Sequence, residues 1–199
     1  NYTTGTSTTA TSTYLYDQNS QRVKDITGAT STYFLNKYFV KVGTSTTTKN
    51  IYLGDTLITT IDNNIPSFIL TDHLGSTEKT LNSTGAITSQ TDYLPYGEVR
   101  LQTGNPIQRG YIGEIYDSSK YNYLNARYND NNRGQFISQD PVYWEVGVSK
   151  EGQQALMSPQ SQNSYSYAGN NPIVNKDPSG RFWWKEFYTD WNGYDGVGG

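Results

Sequence analysis

The sequence has no cysteine and a single histidine, His73. Without Cys there is no disulfide framework, no thiolate metal site and no cysteine nucleophile. One His excludes a multi-histidine zinc centre. Basic side chains are also scarce. Fifteen Lys and Arg stand against 18 Asp and Glu, for a formal charge of −3. Nucleic-acid binders carry a basic stripe or patch, so no nucleic-acid partner is expected. There is no apolar run of roughly 18 residues, and hence no expected membrane-spanning helix. Neither a signal peptide nor an initiator Met stands at Asn1, so the chain is expected to begin inside a longer product.

Aromatic residues and threonine are abundant instead. Eighteen Tyr, 6 Phe and 4 Trp make up 14% of the 199 residues. Of 25 Thr, 24 precede residue 104. Disordered chains are poor in aromatics, whereas Tyr and Thr both suit a pleated, half-buried surface. The expected class is therefore all-β with wet faces. Residues 14–16 and 22–26 read as strands around the turn Gln18-Asn19-Ser20. Residues 31–42 read as one long strand and 43–50 as a polar connection. Strands at 51–53, 56–61, 66–71, 78–81 and 87–93 follow, separated by Gly, Asn and Asp turns. Short strands at such spacing predict serial hairpins. No segment before residue 105 carries a helical period, and only 150–156 is expected to form a turn or two of helix.

Ordered motifs then appear. They are Asp72-His73-Leu74-Gly75-Ser76-Thr77, Asp92-Tyr93-Leu94-Pro95-Tyr96-Gly97-Glu98, Gly113-Glu114-Ile115-Tyr116-Asp117 and Tyr123-Leu124-Asn125-Ala126-Arg127-Tyr128. Arg133-Gly134-Gln135-Phe136-Ile137-Ser138-Gln139-Asp140-Pro141, Tyr165-Ser166-Tyr167-Ala168-Gly169-Asn170-Asn171-Pro172 and Asp177-Pro178-Ser179-Gly180 complete the series. Together they closely resemble the Rhs repeat-associated core domain over roughly 68–180. Upstream, Tyr16-Asp17 with Gly28 resembles a degenerate YD repeat. The expected organisation is a Thr/Ser-rich flexible or edge segment at 1–13, YD-type hairpins at 14–67, the core domain at 68–180, and a Trp/Gly-rich tail or start of a variable segment at 181–199.

The resemblance implies serial antiparallel hairpins forming a curved or spiralling sheet that ends in a core, or plug, with little helix. It implies a hollow shell, secreted or on the cell surface of a bacterium or archaeon, that encloses a variable C-terminal effector or toxin segment. Family shells use many more repeats, so 199 residues are expected to be too few to close one. Partners would be the chain's own C-terminal segment or cargo, and neighbouring β-modules or further copies. No cofactor or metal is expected. A structural or adhesive β-module that self-assembles without catalysis is the alternative.

The resemblance also implies an aspartyl autoprotease in part of the family, with one Asp in each of two Asp-Pro motifs. Asp140 and Asp177 occupy those positions, Arg133 or Arg127 would stabilise charge, and the cut would fall between Arg181 and Phe182. Two close carboxylates sharing a proton supply that chemistry. The pattern departs at Tyr143, where cleaving relatives carry Gly. It departs again in the 37-residue separation of the two Asp, and at Arg181, where relatives carry Leu. Elsewhere, His73 and Ser76 read as turn residues rather than as parts of a triad, because no nucleophile elbow surrounds them. Gly75 and Gly85 precede no helix and form no phosphate loop. Asn129-Asp130-Asn131-Asn132 offers oxygens for calcium but lacks the EF-hand register and a closing Glu, and reads as a polar turn. Phe182, Trp183, Trp184, Phe187, Tyr188 and Trp191 would pack on a shell wall or a neighbour.

Overall fold

The computed structural model describes residues 12–18, 21–117, 121–157, 162–181 and 184–185. Ten antiparallel strands form one sheet: β1 (Ser12–Tyr16), β2 (Arg22–Thr27), β3 (Thr30–Asn36), β4 (Phe39–Val42), β5 (Thr46–Leu53), β6 (Thr56–Asp62), β7 (Ile65–Thr71), β8 (Thr77–Leu81), β9 (Ile87–Tyr93) and β10 (Val99–Gly104). Their order in space is their order in sequence, so each strand pairs only with its chain neighbours. The sheet is continuous across the expected boundary at 67/68, which falls inside β7. A four-stranded sheet follows, made of β11 (Ile115–Tyr116), β12 (Tyr121–Leu124), β13 (Arg127–Asp130) and β14 (Gln135–Phe136). Helix α1 (Lys150–Met157) and a two-stranded pair, β15 (Asn175–Lys176) with β16 (Trp184–Lys185), complete the described elements. Apart from the backbone of β16, the Trp-rich tail lies outside the described residues, as do residues 1–11.

The all-β class and the serial hairpins agree with the reading from sequence. The expected long strand at 31–42 does not, because it is two strands. Asn36 breaks it: its side-chain oxygen accepts the Tyr38 N–H at 2.9 Å, the local bond that turns a chain at Asn. Asn50 then donates to Lys37 O at 3.0 Å and fixes the turn. The polar stretch before residue 50 is mostly strand, since Thr46 to Thr48 pair with Val42, Lys41 and Val40. Asn63 and Asn64, with φ of 48° and 72°, make the tight β6–β7 turn whose twist suits a hairpin.

The sheet is curved. Register shifts interrupt the ladder in six pairings, between Leu15 and Tyr16, Phe34 and Asn36, Ile51 and Tyr52, Leu70 and Thr71, Thr80 and Leu81, and Val99 and Leu101. Each bulge bends its strand and steepens the twist. As a result β1 and β2 meet the four-stranded sheet: Tyr16 packs on Tyr123 and Tyr14 on Tyr128, with ring centroids 5.8 and 6.5 Å apart. Ten strands thus suffice to bring the start of the sheet back to the core. Within that sheet β1 and β10 are the two end strands and do not pair with each other.

The hydrophobic core lies under the curve. Leu74, Tyr111, Ile112, Leu124, Phe136, Tyr167 and Ala168 form one buried cluster, with Tyr93 and Tyr96 packed against it. Tyr167 is its hub, with Phe136, Tyr111 and Tyr96 rings at 5.7, 6.2 and 6.3 Å. Burial lifts the Tyr111 hydroxyl to about 12, and its OH donates to Pro95 O at 2.8 Å. The sheet itself buries many hydroxyls, among them Thr60, Thr80, Ser89 and Thr91. Thr80 Oγ1 bonds Ser89 Oγ at 2.7 Å. This is how a Thr-rich chain builds a wall without many aliphatic residues. Among the described residues no helix is long and apolar enough to cross a membrane.

A cavity of about 840 Å³ lies between the sheet and the core, lined by Lys37, Tyr52, Leu57, Arg109, Glu114 and Lys176 among others. Burial pushes the Glu114 carboxyl up to about 7, against the opposing charges of Arg109 and Lys176. Arg109 Nη1 lies 3.8 Å from Glu114 Oε2. A carboxyl raised on folding favours its protonated form. Its contribution to stability is complete below its ordinary 4.5 and is lost as pH rises through about 7. Urea midpoints should therefore fall across that window, and Glu114→Gln should flatten the fall.

Candidate functional site

Asp140 and Asp177 come from different segments, and Arg127 joins them. Asp140 caps the 3₁₀ turn Pro141–Glu145, its Oδ1 accepting the Val142 N–H at 2.9 Å. Pro at the first position of that turn needs no partner for an N–H. Asp177 opens the Asp177-Pro178-Ser179-Gly180 turn. Its Oδ1 accepts from Ser179 Oγ at 3.1 Å and from the Arg181 N–H at 3.2 Å. The remaining oxygens meet one nitrogen: Arg127 Nη2 lies 2.8 Å from Asp140 Oδ2 and 3.2 Å from Asp177 Oδ2. Arg127 starts β13, directly after the tight turn at Asn125, where φ is +57°.

The rest of the guanidinium is also used. Nε donates to Gly180 O, and Nη1 donates to Ser164 O at 2.9 Å. Its plane lies over the Phe136 ring, with Cζ 3.5 Å from the centroid. The side chains of Arg127 and Asp177 are 2% and 3% exposed, and that of Asp140 is 15% exposed. Two carboxylates against one guanidinium leave the buried cluster one negative charge in excess when all three are ionised. Burial raises both aspartates above the ordinary carboxylate range although Arg127 and hydrogen bonds oppose it. Burial likewise lowers Arg127, outweighing the two aspartates.

The second Asp-Pro turn is locked onto the β12–β13 turn. Asn125 Nδ2 donates to Pro178 O at 2.8 Å, and Ala126 N donates to Ser179 O at 3.1 Å. Gly180 has φ +65°, and a Cβ there would stand 2.2 Å from Leu124 O. Glycine therefore serves both the conformation and the close approach. In consequence the Gly180–Arg181 peptide is held on both sides, its oxygen by Arg127 and its N–H by Asp177. Arg181 Nη2 reaches Glu145 Oε1 at 2.5 Å. The expected cut lies one bond further on, and Phe182 is outside the described residues.

Arg133 does not stand with this pair. Its side chain is mostly exposed and lies 3.6 Å from Asp130, so of the two arginines considered from sequence, Arg127 is the one at the aspartates. His73 Nε2 donates to Ile173 O at 2.7 Å, and buried Ser76 Oγ accepts the Ile112 N–H at 3.0 Å. Both tie the Asp72 turn to the core. Gly75 and Gly85 occupy left-handed positions in tight turns. In the 129–132 segment Asn129 and Asp130 end β13, and Asn131 and Asn132 open the turn that follows. Asp130 Oδ1 accepts the Asn132 and Arg133 N–H groups, while buried Asn131 accepts from Asn122 and Asn129. Among the described residues no group of three or more His, Cys, Asp or Glu side chains could hold a metal ion.

One buried pair escaped the sequence reading altogether: Arg22 with Asp117, bonded at 2.5 Å. The available signal was the repetition of Tyr-Asp at 16–17 and 116–117.

Comparison with known proteins decides the family. Residues 44–173 match the Teneurin YD-shell model. The chain belongs to the teneurin YD-shell family. The YD-shell match runs from the β4–β5 turn through the core, so it includes Arg127 and Asp140 and ends four residues before Asp177. Among curated relatives, the tRNA3(Ser)-specific nuclease WapA of Bacillus spizizenii is 27% identical over 93% of this chain and 8% of its own length. Salivary gland surface protein 1 of Aedes aegypti is 34% identical over 57% of this chain and 3% of its own. The same fold is found in the Photorhabdus luminescens Tc holotoxin pore. There the TM-score is 0.68 at 19% identity, over 87% of this chain and 9% of that one. In the crystal structure of TcdB2-TccC3 the TM-score is 0.66 at 19% identity, over 85% and 9%. This YD-shell chain therefore spans under a tenth of the proteins it resembles.

Proposed function

We propose that this YD-shell chain is the C-terminal wall and core of a larger β-sheet container, outside the cell or at its surface, that shelters a variable segment following residue 181. We further propose that Asp140 and Asp177 cut the Arg181–Phe182 bond to release that segment. The observation that carries the second reading is the shared cluster. Arg127 holds both carboxylates and the Gly180 oxygen, and Asp177 holds the Arg181 N–H. In an aspartate pair, the ionised member activates water and the protonated member polarises the scissile carbonyl. The raised aspartates favour retention of a proton. Water adds across the bond, leaving a carboxylate on Arg181 and a free amine on Phe182. Arg127 takes the charge-stabilising role.

Mass spectrometry of freshly made protein tests this directly. A fragment beginning at Phe182 should accumulate in the unmodified chain. It should vanish in Asp177→Asn and in Asp140→Asn, while Arg133→Ala should cut normally. An intact mass ending at Gly199 after prolonged incubation rejects self-cleavage and leaves the container reading standing. The self-assembling alternative draws on the open side of β10, which is the last strand of its sheet and exposes Leu101. Light scattering distinguishes the two: filaments or rings support that alternative, and monodisperse protein supports the container wall.

A further inference from the structure

Arg22 is the first residue of β2, yet its side chain is 1% exposed and its partner lies 95 residues away in the core. Nη1 donates to Asp117 Oδ1 at 2.5 Å and Nη2 to Asp117 Oδ2 at 2.6 Å, a bidentate fork on a carboxylate that is itself 2% exposed. Nη2 also donates to Tyr128 OH at 2.7 Å. The guanidinium carbon sits 4.3 Å from the Tyr123 ring centroid on the core side and 4.2 Å from the Tyr14 centroid on the other. The Arg22 N–H donates to Tyr123 OH at 3.1 Å, and Tyr16 bonds Tyr128 through their hydroxyls.

We propose that Asp117, Tyr123 and Tyr128 form a guanidinium-binding cage on the core sheet, whose ligand is the arginine of an approaching β-hairpin. Arg22 fills it here, and filling it latches the start of the ten-stranded sheet onto the core. The chemistry is selective. A carboxylate fork and aromatic faces match a planar, delocalised cation and not a compact ammonium. Arg22 and Tyr123 also line the 840 Å³ cavity, so the latch shuts one side of that space. A buried charge pair is strongly destabilised when one member is removed, and here the cost falls on the docking of one hairpin. The β6–β8 ladder has its own bonds and contributes none of the cage residues. The cage includes neither Asp140 nor Asp177, so it forms whether or not the chain cuts itself.

Amide hydrogen exchange on the full chain tests it. In Arg22→Ala, amides of β1 and β2 should exchange on the order of a hundredfold faster, while those of β6–β8 keep their protection. Arg22→Lys should restore little of the loss. Propylguanidinium added to Arg22→Ala should restore protection in β1 and β2, and butylammonium should not. Asp117→Asn, which keeps the shape of the site, should loosen the same two strands. Unchanged protection in Arg22→Ala, equal loss throughout the sheet in both variants, or equal rescue by butylammonium overturns the proposal.

Discussion

Arg127→Met should cost about 3–5 kcal/mol, the range for removing one partner of a buried ion pair. Methionine fills the space over Phe136 but leaves Asp140 and Asp177 without their shared cation. The Gly180 and Ser164 oxygens lose their donors as well. The loss should depend on pH in a defined sense. Both aspartates are already raised by burial, and removing the cation raises them further. Protonated carboxyls sit in such a site at little cost. The variant should thus be closest to the parent below the ordinary Asp range and fall behind as pH rises through the raised values. Urea melts at about pH 4 and pH 7 measure the difference. Arg127→Lys should recover only a part, since one ammonium cannot span two carboxylates and two carbonyls.

Gly180→Ala should destabilise the core by about 3 kcal/mol or more. The left-handed conformation alone costs an alanine roughly 1–2 kcal/mol. The new Cβ also stands 2.2 Å from Leu124 O and 2.9 Å from Arg127 N. Relief requires the turn to lift away, stretching the bonds Asn125 and Ala126 make to it, at about 1 kcal/mol for each bond lost. Gly147→Ala is the control. Its φ is +84° but nothing lies within 4 Å of the added carbon, so it should show the conformational cost alone. Thermal melts of the two variants separate strain from collision. Equal losses would show that the Leu124 contact is unimportant.

The expected class and most hairpins were legible because their signals are local. Alternating Thr, Tyr and aliphatic residues mark strands, and Asn63-Asn64, Gly28 and Gly54 mark turns. The break at Lys37-Tyr38 was not legible, since the two turn residues carry no such mark and Asn36 works through a side-chain bond. At the candidate site, Asp140 and Asp177 were found through motifs. Placing Arg127 rather than Arg133 between them required the fold, because the five residues separating the two arginines cross from β13 into the next turn. The Arg22 cage was invisible for a related reason. A charged residue at the head of a strand ordinarily faces water, and only sheet curvature carries this one to Asp117.

The neighbour-to-neighbour order of the ten strands also governs how the chain reaches its structure. Every pairing in that sheet joins residues a short loop apart, so the entropy of loop closure is small at each step. Low contact order of this kind favours rapid, sequential zipping in which each strand templates the next. The Arg22–Asp117 contact is different, because it must close 95 residues at once. It becomes accessible only when the intervening bulges have bent the whole ladder, and a seated Arg22 therefore signals that every strand between it and the core is in register.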